Sequence, residues 1–354
     1  IFKIFGVYTT SSAIVFLTVN CLASVGTSIP LYFIARHVFG QNTAYLSSAA
    51  WAFYPISVWD SIHSVWNTDC FTFLAIILIC WLFFLKKQLE LKNAAMFGLF
   101  MGIVALANPV IIAYYPFVAI WLFIRAEATH HKKVASLAVI GILAVLMLMP
   151  WLFRNYMVFG RPILRSNFGL ALKCGNSLQT WNHITSPTDS RLGWLSVWKL
   201  EHPSTSQNEF HRYARLGEME YMNQCLNEAK KFIKENPWKV VRLTLIRMRH
   251  FWLSEFINPN WRTEPLRLVL STTFIRKFLF ILPIPFAVVG IVLSRKRKYE
   301  FGPLVAFMGF IPLVYYIAHV STYRYRQPIE PILFIFSSFA FCSLIQRWKE
   351  AIAK

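Results

Sequence analysis

Three short stretches hold the side chains able to do polar chemistry in an otherwise apolar sequence. The first, Trp59-Asp60-Ser61-Ile62-His63-Ser64-Val65-Trp66-Asn67-Thr68-Asp69, sets two carboxyls and a histidine in a segment without Lys or Arg. The second is Tyr323-Arg324-Tyr325-Arg326-Gln327-Pro328, and the third is Arg154, just beyond a long uncharged run. A guanidinium presents a planar fork of N–H donors that matches phosphate oxygens, so Arg324, Arg326 and Arg154, with Tyr323, are candidates for holding a phosphate. Arginines at a membrane boundary also snorkel to ordinary headgroups, and both readings stay open for Arg154. Asp69 opens an expected helix, which makes it either an ordinary first-turn acid facing the helix dipole or a supporting acidic residue of a site. Asp60 and His63, at i and i+3, offer part of a divalent metal site, and two ligands do not complete one. That ion is the one cofactor these residues bring to mind.

The elements that must position these residues are membrane spans. Hydrophobic residues make up 56% of the chain and charged residues 15%, with a mean hydropathy of +0.47, far from the average of a soluble domain. The net charge of +20 is spread over short loops between apolar runs, which argues for orientation in an anionic-lipid membrane and against nucleic acid as a partner. Runs long enough to cross roughly 30 Å of hydrocarbon as helices fall at about 8–35, 43–59, 68–85, 94–107, 109–124, 133–151, 273–293, 301–318 and 329–345. The expected fold is an all-α polytopic membrane protein of about nine transmembrane helices. It has an N-terminal bundle at 1–151, an extracytoplasmic block at 152–272 and a C-terminal transmembrane segment at 273–354.

Basic loops set the orientation. Arg36-His37, Lys86-Lys87 with Lys92, Arg125 with Lys132-Lys133, Arg295-Lys296-Arg297-Lys298 and the tail Arg347, Lys349 and Lys354 fall on one side, cytoplasmic by the positive-inside rule. The 60–67 turn, the Asn108-Pro109 turn, the 152–272 block and the 319–328 loop then face outward. Arg324 and Arg326 break the rule, and ionisable groups retained at a membrane boundary against their cost tend to be functional. With 8–35 running inward, the chain is expected to follow at least one earlier span and outer loop.

Within the outer block, 163–205 is rich in Gly, Ser, Asn, Thr and Pro and reads as loop. Residues 206–236 read as a helix with Phe210, Ala214, Tyr221, Cys225, Ala229 and Phe232 near one face. Pro237 opens a second helix to about Trp252, whose mixed basic and apolar face suits a membrane surface, with direct lipid-phosphate binding by its arginines as the lesser reading. Cys174 and Cys225 both lie in this block and are candidates for a disulfide; Cys21, Cys70, Cys80 and Cys342 read as ordinary span or boundary thiols. No P-loop, Gly-x-Gly-x-x-Gly after a strand, His-Glu-x-x-His or paired Cys-x-x-Cys is present. The inner loops are too short for a cytoplasmic nucleotide-sugar domain.

Pro150-Trp151-Leu152-Phe153-Arg154-Asn155-Tyr156 with Phe159-Gly160-Arg161-Pro162 after a span resembles the exit motif of bacterial GT-C glycosyltransferases, the group related to protein O-mannosyltransferases and lipid A aminoarabinose transferases. Ile34-Ala35-Arg36-His37-Val38-Phe39-Gly40, Ala49-Ala50-Trp51-Ala52-Phe53-Tyr54-Pro55 and Trp66-Asn67-Thr68-Asp69 are similar to the stretch after that family's first outer loop. Tyr323-Arg324-Tyr325-Arg326-Gln327-Pro328-Ile329-Glu330-Pro331 is similar to its terminal Arg-Tyr-Arg-x-Pro pattern. These motifs follow the family's order over most of the chain. The resemblance implies sugar transfer from a polyprenyl-phosphate donor to an acceptor outside the cytoplasmic (inner) membrane, usually with inversion, with membrane lipids as neighbours. It also implies that the catalytic base belongs to the first outer loop, which this sequence lacks, that an acid near Asp69 faces the active cavity, and that Gly175-Asn176 makes donor or acceptor contacts. Two other classes remain: an oligosaccharide polymerase or ligase using a lipid-linked glycan, and a transporter or lipid flippase. Charges gathered at span ends and a one-sided polar block favour surface chemistry over transport.

Overall fold

The computed structural model describes residues 2–185, 193–253, 266–295, 300–318 and 323–352, with backbone alone at 193–196, 266–273 and 323. Lys296, Arg297 and Lys298, the 319–322 part of the expected outer loop, Lys354 and the side chain of Tyr323 therefore lie outside the described residues. Every regular element among the described residues is helical. The chain divides into two compact units, one of Ile1–Met149, Phe278–Ile311 and Arg326–Lys354, the other of Pro150–Lys277 and Pro312–Tyr325.

Five helices are long and apolar enough to cross a membrane: Thr10–Phe39, Thr68–Leu85, His130–Phe159, Phe274–Leu293 and Arg324–Ile352. Three shorter apolar helices, Leu91–Ala107, Pro109–Arg125 and Gly302–Ala318, fall where further spans were expected. This is consistent with a polytopic membrane protein, and it leaves the expectation of nine spans short of support. The stretch expected to span at 43–59 is two helices, Gln41–Ala52 and Pro55–His63. The cause is local. Pro55 has no N–H to continue a helix and holds Tyr54 extended, at φ −68 and ψ 111, so a new helix starts with proline in its first turn.

In the first unit, helices approach closely where side chains are absent. A Cβ on Gly98 would stand 2.6 Å from the Ile140 carbonyl oxygen, and one on Gly290 would stand 2.1 Å from that of Phe336. Such contacts let apolar helices gain dispersion energy where lipid removes any hydrophobic difference between inside and outside. The first half of the Glu330–Ile352 helix is enclosed, with Ile332, Ile335, Phe336 and Ala340 at 0% exposure. Trp51, also buried, donates Nε1–H to the Ser24 carbonyl at 2.8 Å. Large apolar side chains such as Ile14, Leu22, Val145 and Leu146 face outward, as they must where the solvent is hydrocarbon.

The second unit corrects the reading of 163–205 as loop. Phe168–Gly175, Leu178–Thr185 and Gly193–Glu201 are helices. The expected 206–236 helix is interrupted at Gly217, whose φ of +75 ends Gln207–Leu216 before Glu218–Glu235 begins, a conformation glycine adopts without strain. Ser206 caps the first piece, accepting from the Glu209 N–H at 3.5 Å. Leu170, Cys174, Val197, Tyr221, Met222 and Cys225 form one core cluster. Both cysteines in it are free thiols, so the suggested pair is adjacent in packing without being bridged.

Candidate functional site

Asp69 lies in the first turn of Thr68–Leu85 and is buried, with 3% exposure. Its Oδ1 accepts from Ser61 Oγ at 3.0 Å and from Gln327 Nε2 at 2.6 Å. The turn before it is held by Asn20, a fully buried amide in the Thr10–Gly26 helix. Asn20 Nδ2 donates to the carbonyls of Ser64 at 3.0 Å and Trp66 at 2.9 Å, tying two main-chain acceptors of the turn to that helix. Asn67 Nδ2 adds a bond to the Ala107 carbonyl at 2.8 Å.

Gln327 belongs to the short 3-10 helix Tyr323–Ile329. Beside it, Arg326 is completely buried. Its Nε and Nη2 reach Glu330 Oε1 at 3.1 and 3.0 Å, Nη2 also donates to the Phe280 carbonyl, and the guanidinium lies 3.2 Å from the centroid of the Phe280 ring. Tyr54 Oη donates to the same Glu330 oxygen at 3.4 Å. A charge this deep is tolerated because a carboxylate and a carbonyl surround it. Arg326 is therefore an internal tie between the Tyr323–Ile329 turn, the Glu330 helix and Phe280.

Arg324 has a different setting. It is half-buried, donates from Nη2 to Tyr325 Oη at 3.0 Å and lies over the Tyr325 ring at 5.0 Å. Tyr325 in turn stacks on Tyr315 at 4.4 Å. Arg154 is exposed, donates from Nη1 to Asn155 Oδ1 at 2.8 Å and lies over the rings of Trp151 and Phe159 at 5.3 and 5.7 Å. Asn155, buried below it, donates to the Ile163 carbonyl at 2.6 Å.

Asp60 and His63 do not converge on a metal. Asp60 is buried, whereas His63 is exposed and stacks on Trp59 at 3.8 Å. No group of three or more His, Cys, Asp or Glu suited to an ion occurs among the described residues.

Gly175-Asn176 is clamped inside the second unit. Arg247, at 0% exposure, donates to the Gly175 carbonyl, to Asn176 Oδ1 at 3.2 Å, to the Tyr316 carbonyl at 2.7 Å and to Thr244 Oγ1 at 3.0 Å. Burial pulls its guanidinium down to about 10, so it stays charged at neutral pH. Asn176 Nδ2 meets the carbonyls of Leu172 and Ile317 at 3.1 and 3.0 Å. Arg247 thus has its donors engaged within the protein, unlike the lipid-facing role open to the arginines of that helix.

With the geometry in place, one comparison bears on what this arrangement does. Residues 1–153 match the family model of dolichyl-phosphate-mannose-protein mannosyltransferase. The matched stretch contains Asn20, Tyr54, Ser61 and Asp69, and it stops before Arg154. It supports a glycosyltransferase embedded in a membrane through several apolar helices. Comparisons with curated proteins and with solved structures give no match.

The sequence pattern points to Asp69 and Arg326; Gln327, next to Arg326 in the chain, is the residue that reaches Asp69. That pattern did not single out Gln327, Glu330, Tyr54, Ser61 or Asn20. A signal existed for three of them: Gln327 and Glu330 stand in the same Arg-Gln-Pro-Ile-Glu string, and Asn20 is a lone amide in an apolar run.

Proposed function

We propose that the protein is a GT-C-type glycosyltransferase that takes a sugar from a polyprenyl-phosphate donor and passes it to an acceptor on the extracytoplasmic face of the cytoplasmic membrane. The family match over residues 1–153 carries this reading. Two features of the molecule support it: a buried acid, Asp69, fixed by Ser61 and Gln327, and cationic side chains near span ends at Arg154 and Arg324.

In such a transfer the acceptor oxygen or nitrogen bonds to the anomeric carbon, the carbon–oxygen bond to phosphate breaks, and the phosphate leaves with the electron pair. The developing charge on the phosphate needs cations or N–H donors, and the acceptor proton needs a base. Arg324 and Arg154 are proposed for the phosphate. Arg326 is proposed as a positioning residue because its Nε and Nη2 are engaged by Glu330 and the Phe280 carbonyl, and Asp69 as a supporting acid. Acceptor and sugar stay unassigned.

The test uses the full-length protein in membrane vesicles with radiolabelled polyprenyl-phosphate sugars, mannose first. Protein-dependent movement of label out of the lipid fraction onto an acceptor is expected. Arg324→Ala should abolish it at unchanged membrane abundance. Transfer only of preassembled glycans would indicate the polymerase or ligase class, and flipping of intact lipid without transfer would indicate a flippase; either outcome removes the proposal.

A further inference from the structure

A second feature lies at the opposite end of the Thr68–Leu85 helix from Asp69 and takes no part in the chemistry above. A cavity of ≈ 40 Å³ opens between the Ser28–Phe39 and Thr68–Leu85 helices, near the C-terminal end of each. That is room for roughly three water-sized groups. Phe33, Ile34 and His37 line it from the first helix; Cys80, Phe83 and Phe84 line it from the second, with Lys87 just beyond the helix end.

The lining is graded. His37 and Lys87 are exposed at the helix ends, while Phe33 and Cys80, one and about two turns deeper, are apolar. Phe33 and Phe84 are 46% and 59% exposed, so the cavity is rimmed by rings on the surface of helices apolar enough to span a membrane. His37 is tilted against Phe83 at 5.5 Å between centroids. The charges that act on His37 are Lys86, Lys87 and Glu300, two cations against one carboxylate, and Arg36 precedes it in sequence. Cations at helix C-termini also answer the helix dipole, but that role calls for no cavity and no aromatic rim. A water-soluble anion would use the cations and leave the rings without purpose. A phospholipid matches both: its phosphate lies at headgroup level and its chains run inward.

We propose that this cavity binds one anionic phospholipid of the adjoining leaflet, Lys87 and His37 holding the headgroup phosphate while the first part of an acyl chain enters between Phe33 and Phe84. The site is independent of sugar transfer. Its test is native mass spectrometry of the full chain released from detergent after equilibration with phosphatidylglycerol or phosphatidylcholine. Phosphatidylglycerol is expected to stay bound under conditions that strip phosphatidylcholine. Replacing both Lys87 and His37 by Ala should weaken retention at least about fivefold, the effect of one basic charge near an anionic lipid. Lys132→Ala, an exposed cation elsewhere, should leave retention unchanged, as should excess inorganic phosphate. Equal retention of the two lipids by the unsubstituted protein overturns the proposal, and so does displacement by inorganic phosphate, equal loss in Lys132→Ala, or undiminished retention in the double variant.

Discussion

Gln327 donates its side-chain amide to Oδ1 of Asp69 at 2.6 Å, joining residues 258 positions apart. The bond lies inside the first unit, with both partners under 5% exposed. It fixes Gln327 against the start of the Thr68–Leu85 helix, so Ser61, Asp69 and Gln327 form one buried network. Gln327→Leu removes a side-chain donor from the buried Asp69 carboxyl and should cost ~1–3 kcal/mol. The measurement is thermal unfolding in detergent; an unchanged midpoint would show that the bond contributes nothing.

The two arginines of the turn should separate by phenotype. Arg326→Ala leaves Glu330 buried without its cation, a loss of about 3–5 kcal/mol, and is expected to reduce the amount of folded protein. Adding Glu330→Leu should restore much of that amount, because the stranded carboxyl is then gone. Arg324→Ala should fold normally and lose transfer. Size-exclusion yield together with the vesicle assay distinguishes them, and equal yields for Arg324→Ala and Arg326→Ala would contradict the buried-tie role of Arg326.

Glu201 gives the second unit a pH dependence. Burial raises its carboxyl above the ordinary range, opposed by the Ser177 hydrogen bond at 2.6 Å and by Lys173, and its Oε2 has no hydrogen-bond partner. The folded chain then keeps a proton that the unfolded chain releases from about pH 4.3 upward. Stability contributed here falls as pH rises from that point until the raised folded value is passed. Glu201→Gln should flatten the fall. Melting curves across this range check it, and an identical slope in both proteins would refute it.

Cys174 and Cys225 should resist alkylation in the native protein. Burial, followed by the influence of Glu201, pushes the Cys174 thiol up to about 12, and burial raises Cys225 as well. Maleimide should modify neither until the chain is unfolded, and then both. An unfolded, unreduced sample whose mass shows both unmodified and linked would establish the disulfide instead.

Gly290→Ala should destabilise by ~1–3 kcal/mol through overpacking, since its Cβ would meet the Phe336 carbonyl oxygen at 2.1 Å. Gly309→Ala, with nothing within 4 Å of its Cβ, serves as the matched control. Equal melting temperatures for the two variants would dispose of the close packing between Pro283–Leu293 and Glu330–Ile352.

Apolar length made the long helices readable, because lipid forces backbone pairing within each segment and leaves side-chain hydropathy as the dominant signal. The 43–59 stretch passes the same test of composition, yet Pro55 divides it; hydropathy averages over a residue whose effect is to remove one N–H. Residues 163–205 failed in the opposite direction. Helices of eight or nine residues, such as Phe168–Gly175, offer about two turns of periodicity, too little to stand out among Gly, Asn and Ser. Arg326 was legible as important and misleading as to kind: sequence shows a cation at a boundary, while only the fold shows Glu330 and the Phe280 carbonyl around it. Asp60 and His63 share a helix face by spacing, but one points into the protein and the other stacks on Trp59, a distinction that i, i+3 arithmetic does not contain.

Asn20 grips the 64–66 turn through the carbonyls of Ser64 and Trp66 and asks nothing of their side chains. The turn is thus tied to the Thr10–Gly26 helix through main-chain oxygens, acceptors that every residue type carries. An anchor made to the main chain belongs to the position and not to the residue type, so this hydrogen-bonded attachment of the turn to its neighbouring helix is written in Asn20.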